Sequence, residues 1–188
     1  SDTLNIESGV AWVKVSDTPN LDKTSTVSEK VNNDNADAVG DTVNVGDVIT
    51  YTVTVDPIPN YDGENPVLNV TDKLSDGLDF FPAENFENSI SVKVVNRQTN
   101  ENIATLVPTT NYRVEYDKAT KAREFKIDFV SEDGKNYLLK NDDYYNQKLV
   151  ITYKAKVNTS AAMNEVGNDN TAKLKYSKDS NINGTPGE

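Results

Sequence analysis

Two stretches of strict alternation constrain this chain more than any other feature. In Asp47-Val-Ile-Thr-Tyr-Thr-Val-Thr-Val55, the residues Ile49, Tyr51, Val53 and Val55 share one parity, while threonines fill most of the other. In Lys148–Val157 the same holds for Leu149, Ile151, Tyr153, Ala155 and Val157, with lysines between them. A period of two places one set of side chains on one face of a β-strand. A strand with one apolar face must bury it against another layer. Further strands are expected at Val67–Asp72, Ser89–Asn96, Tyr112–Tyr116, Glu124–Val130 and Asn170–Tyr176. Turn signals separate them at Pro57-Ile-Pro59, Asp62-Gly63, Asp76-Gly77, Asp133-Gly134 and an Asn/Asp cluster at 32–37. Short helical turns are expected at 141–147 and 159–166, and no long helical period occurs. Seven or more short strands with one apolar face predict an antiparallel β-sandwich.

Composition narrows the function. The 188 residues carry a formal charge of −11, which opposes nucleic acid and anionic membrane surfaces, because phosphate binding needs a basic face. No apolar run approaches the ~20 residues of a spanning helix, so membrane insertion is not expected. Cysteine and histidine are both absent. That removes a disulfide framework, a thiolate or imidazole metal site and a histidine-based triad, and no cofactor or metal is expected. Covalent reinforcement, if the chain has any, must come from other chemistry.

Three polar residues sit in apolar phase. Lys23 shares a parity with Leu21 in Pro19-Asn-Leu-Asp-Lys23. Asp72 shares one with Leu68, Val70 and Leu74. Asn170 shares one with Ala172, Leu174 and Tyr176. On periodicity alone two explanations stay open. Each residue can be satisfied by backbone groups or as a plain buried ion pair, or the register can slip by one and turn all three outward.

In order along the chain stand PNLDK, VGDVITYTVTV, LNVTDKLSDGLDF, a Tyr-Arg-Val-Glu-Tyr strand, KLVITYKAKVN and NDNTAKLKYS. From Pro19 to Ser177 this series resembles the isopeptide-forming domain of Gram-positive fimbrial (pilin) subunits and sortase-anchored surface adhesins, relatives of the collagen-adhesin Ig-like folds. The resemblance implies an all-β, antiparallel Ig-like β-sandwich of the collagen-adhesin A-type variant, with short helical turns in its loops. It places a linker at 1–18, the isopeptide-forming sandwich at 19–177 and a second linker at 178–188. It also implies that Lys23 on the first strand and Asn170 on the last form an amide cross-link, assisted by the acid Asp72.

By that resemblance the chain is a structural module of a cell-wall-anchored, extracellular pilus or adhesin. It is no enzyme beyond one intramolecular turnover. Its implied partners are neighbouring domains and pilin subunits, with sortase acting on the full-length parent. The chain lacks the Tyr-Pro-Lys motif of backbone pilins, having Ala11-Trp-Val-Lys-Val15 there with Lys14 as a weak substitute, and it lacks a Leu-Pro-x-Thr-Gly sorting motif. The competing reading is a ligand-binding adhesin domain whose loops 32–42 or 131–146 recognise a host extracellular protein or glycan. A hydrolase built on carboxylates such as Asp142 and Asp143 has no cleft to support it.

Overall fold

The computed structural model describes residues 3–7, 10–14, 18–31, 43–161, 170–177 and 186–187. Thr3–Glu7 (β1) and Val10–Lys14 (β2) pair with each other as an antiparallel ribbon. The remaining strands are Asn20–Glu29 (β3), Val48–Asp56 (β4), Leu68–Leu74 (β5), Leu78–Phe81 (β6), Ser91–Val95 (β7), Asn102–Thr105 (β8), Arg113–Glu115 (β9), Glu124–Asp128 (β10), Lys148–Val157 (β11), Asn170–Ser177 (β12) and Pro186–Gly187 (β13). One helical turn, Phe86–Ser89 (α1), precedes β7.

The strands make two sheets that face each other across an apolar core. One runs β3-β4-β11-β7-β8, with β6 alongside the far half of β11; the other runs β13-β12-β5-β10-β9. Every strand pairing is antiparallel. The alternation in β4 and β11 is realised residue by residue. Ile49, Tyr51, Val53 and Val55 are buried, as are Leu149, Ile151, Tyr153, Ala155 and Val157. Leu68, Val70 and Leu74 from β5 and Phe125 and Ile127 from β10 face them from the second sheet. Each such side chain contributes about 1.5–3 kcal/mol on burial. This is the antiparallel sandwich that the strand pattern predicts.

Strands β1, β2 and β13 lie in segments expected as linkers, and three further elements differ from the sequence expectation. The strand expected from Ser89 begins at Ser91, because Phe86–Ser89 turns helical and buries Phe86. β6 is only four residues long, too short for a period to register. β8 is an edge strand whose Ile103 is exposed, so it carries no apolar face to read. Turns occupy 142–146, where a helical turn is expected; most of the 159–166 segment lies outside the described residues, as does the loop at 32–42.

The Gly46-Asp47 pair sets the start of β4. Gly46 has φ of 93°, and a Cβ there would stand 2.9 Å from Val31 Cγ1. Its N–H donates to Val157 O at 2.8 Å, and Val157 N–H donates to Asp47 O at 2.9 Å. The fully buried Asp47 carboxylate accepts the Val31 N–H at 3.0 Å and the Asn44 N–H at 2.9 Å. Removing it strands two backbone donors, so Asp47→Ala is expected to cost about 2–4 kcal/mol. Urea unfolding should report this as a lower midpoint at unchanged slope.

Candidate functional site

Lys23 is placed by the edge strand of one sheet. In β3 only Leu21 and Lys23 turn inward, opposite Val55 and Val53 of β4. Asp72 lies in β5 with Phe125 of β10 on one side and Ala172 of β12 on the other. Asn170 begins β12, opposite Leu74. β3 and β12 thus approach each other from different sheets, with β5 beside β12.

The three side chains converge on one buried cluster. Lys23 Nζ donates to Asp72 Oδ2 at 2.9 Å. Tyr153 O–H donates a short hydrogen bond to the same oxygen. Asn170 Nδ2 donates to Tyr153 Oη at 2.7 Å. Asp72 is 0% exposed, and the Lys23 side chain only 16%. Aromatic rings wall the cluster. Tyr51 stacks on Tyr153 at 5.6 Å, Phe125 meets Tyr153 edge-on at 4.9 Å, and Lys23 Nζ stands 4.9 Å from the Tyr51 ring centre. Two oxygens, Asp72 Oδ1 and Asn170 Oδ1, are buried without a donor.

Electrostatics follow from this enclosure. Burial lowers the Lys23 pKa from its ordinary 10.5, outweighing the charge and hydrogen bond of Asp72. Burial raises the Asp72 pKa from 3.8, against the charge of Lys23 and hydrogen bonds from Tyr153, Lys23 and Asn170. Tyr153 is pushed far up, chiefly by burial and then by Asp72, so it stays a phenol. Both shifts favour the pair with a neutral amine and a neutral carboxyl. A neutral amine is a nucleophile, a neutral carboxyl is an O–H donor, and a carboxamide with a hydrogen-bonded carbonyl is an electrophile. Among the described residues no group of three or more carboxylates could hold a metal ion.

The chain matches no protein-family model. Over 153 residues it is 30% identical to the trypsin-resistant surface T6 protein of Streptococcus pyogenes serotype M6, covering 80% of this chain and 25% of that protein. The solved T6 backbone pilin of the same serotype superposes with a TM-score of 0.55 at 24% identity, over 89% of this chain and 30% of that one. A C-terminal fragment of the major pilin of Streptococcus agalactiae gives a TM-score of 0.57 at 18% identity, over 91% of this chain and 53% of the fragment. In sequence and in fold the chain is similar to domains of Gram-positive pilins. It spans about a quarter of the curated relative that it matches.

Within this pilin-type domain, the described structure gathers Lys23, Asp72 and Asn170, and adds Tyr153 between the last two. Tyr153 is legible in the sequence only as a core residue in phase with Ile151 and Ala155. The missed signal is its hydroxyl, which a buried tyrosine must place on a partner. Lys14 and Trp12 lie in β2, and their side chains fall outside the described residues.

Proposed function

We propose that this domain is a structural module of an extracellular, cell-wall-anchored pilus or adhesin, closed by an amide bond that Lys23 and Asn170 form between themselves with Asp72 as the proton-transferring acid. The observation that carries this reading is the shared oxygen. Asp72 Oδ2 holds the Lys23 amine directly and reaches the Asn170 carboxamide through one phenol. Asp72 Oδ1 and Asn170 Oδ1 are both buried without a partner, and on this reading a carboxyl proton on the first is the donor that polarises the carbonyl under attack. Nζ then bonds to the Asn170 side-chain carbon, the Cγ–Nδ2 bond breaks, and ammonia leaves. Gathering amine, acid and carboxamide in one buried cluster supplies the effective concentration that amide attack requires. The reaction runs once per molecule and needs no cofactor.

On this reading residues 19–177 form the cross-linked unit, flanked by segments that join neighbouring domains, and the partners are other pilin subunits. The curated relative is named for trypsin resistance. A covalently closed sandwich would share such resistance, because proteases cut the opened chain. Intact-mass measurement of the purified domain tests the proposal. The expected mass falls short of the plain sequence by one ammonia, and a mass equal to the plain sequence overturns it.

A further inference from the structure

Satisfying a buried phenol takes one partner. Tyr153 has two, and they are the acid and the nitrogen that has to depart. Its O–H donates to Asp72 Oδ2, while its oxygen accepts from Asn170 Nδ2 at 2.7 Å. We propose that Tyr153 is a catalytic residue of the cross-linking reaction, the relay that carries the proton from Asp72 to the leaving nitrogen. This rests on the cross-linking proposal above and adds the step by which ammonia is released.

The need for such a relay follows from where the protons start. An amide nitrogen leaves as ammonia only after gaining a proton. The surplus proton arises at Nζ, which becomes positive as it attacks. Nζ contacts Asp72 Oδ2 at 2.9 Å, so that oxygen is the natural first acceptor. The same oxygen touches the phenol, and the phenol touches Nδ2.

The steps balance. Nζ bonds to the Asn170 carbon, the carbonyl π pair moves to Asn170 Oδ1, and the carboxyl proton of Asp72 Oδ1 neutralises that oxyanion. Nζ passes one proton to Asp72 Oδ2. In the tetrahedral intermediate Nδ2 regains a lone pair and turns from donor to acceptor. Asp72 Oδ2 then gives its proton to Tyr153 Oη as Tyr153 gives its own to Nδ2. The Cγ–N bond pair leaves with ammonia, the carbonyl reforms, and its proton returns to Asp72. Acid and phenol end as they began. The strongly raised pKa of Tyr153 suits a group that must remain protonated between transfers.

Packing keeps the phenol on this path. Tyr153 pairs with Tyr51 across β11 and β4 and is stacked on it, while Phe125, Phe80 and Phe86 press on the ring from the remaining sides. Tyr153→Phe retains those ring contacts and removes only the relay atom.

The test starts from chain held unfolded in denaturant, diluted into native buffer, quenched at intervals and weighed. Tyr153→Phe is expected to cross-link ~100-fold more slowly than the parent, the scale of general acid catalysis. Fluorinated tyrosine at position 153 keeps ring, hydroxyl and packing while making the phenol more acidic, and it is expected to speed ammonia loss. Tyr153→Phe cross-linking at the parent rate overturns the relay and leaves the cross-link standing. A slow Tyr153→Phe with a fluorotyrosine rate unchanged from the parent also overturns it, since the hydroxyl would then act only by holding Asp72 and Asn170 in place. A parent chain that never loses ammonia overturns relay and cross-link together.

Discussion

Lys23→Ala and Asn170→Ala are each expected to return the chain to its plain mass and to lower its thermal midpoint by roughly 10–20 °C. The size comes from the unfolded state. A bond from residue 23 to residue 170 closes nearly the whole sandwich into one loop, and loop-closure entropy for more than a hundred residues amounts to about 5 kcal/mol. For a domain of this length each kcal/mol moves the midpoint by roughly 2–4 °C. The two side chains differ in their other contacts, so their separate costs need not match. Lys23 leaves behind an Asp72 that burial already favours in neutral form, and Asn170 leaves Tyr153 without its second partner. Their common part is the bond, which is lost whole when either end is lost. The double variant should therefore lose far less than the sum of the singles. Additive losses in calorimetry would show that the residues stabilise the fold separately, with no bond between them.

The location of the proposed bond would give it a mechanical consequence. β3 opens the sandwich and β12 is its last long strand, and they belong to different sheets. Once the ladders of β3 with β4 and of β12 with β5 give way, tension entering at the two ends would otherwise run through every strand between residues 23 and 170. A covalent tie between Lys23 and Asn170 passes that load from strand to strand and leaves the core strands β4, β11, β5 and β10 unloaded. No reductant cuts an amide, which suits a chain without cysteine.

What could be read from the sequence follows from how locally each feature is encoded. The faces of β4 and β11 were legible to the residue, because a core strand repeats its instruction at every second position. Lys23, Asp72 and Asn170 were legible as exceptions to that repetition, and the resemblance supplied a reason for them to meet. β6 and β8 offered too few residues, or too exposed a face, for any period to show. Tyr153 was hidden for the opposite reason. It obeys the pattern, and its hydroxyl acquires meaning only when β11 of one sheet stacks over Asp72 in β5 of the other. Contacts between sheets are set by the packing of whole layers, and no short window of sequence contains them.

Asp72→Asn is expected to abolish the cross-link while leaving the nucleophile more available than before. Burial lowers the Lys23 pKa, and the Asp72 charge is what opposes it. Removing that charge leaves burial unopposed, so the amine should be more fully neutral in the variant. If nucleophilicity alone governed the reaction, Asp72→Asn would speed it. The expected outcome is plain mass after prolonged incubation, because the variant has no group to take the proton from Nζ and pass it on. Prompt ammonia loss by Asp72→Asn would move the acid role to another carboxylate. The parent should also show a bell-shaped dependence of rate on pH. The Lys23–Asp72 pair reacts when it holds one proton between them. At low pH it holds two and the amine is blocked as ammonium. At high pH it holds none and the carboxyl has no proton to lend. Burial raises the Asp72 pKa from 3.8 and lowers that of Lys23 from 10.5, so the interval between those ordinary values is the one to scan. Refolding unfolded chain in buffers across that interval, with the cross-linked fraction weighed at fixed times, should give a maximum flanked by an acid and an alkaline decline. A rate that climbed steadily to the alkaline limit would assign the reaction to the amine alone and remove the carboxyl from it.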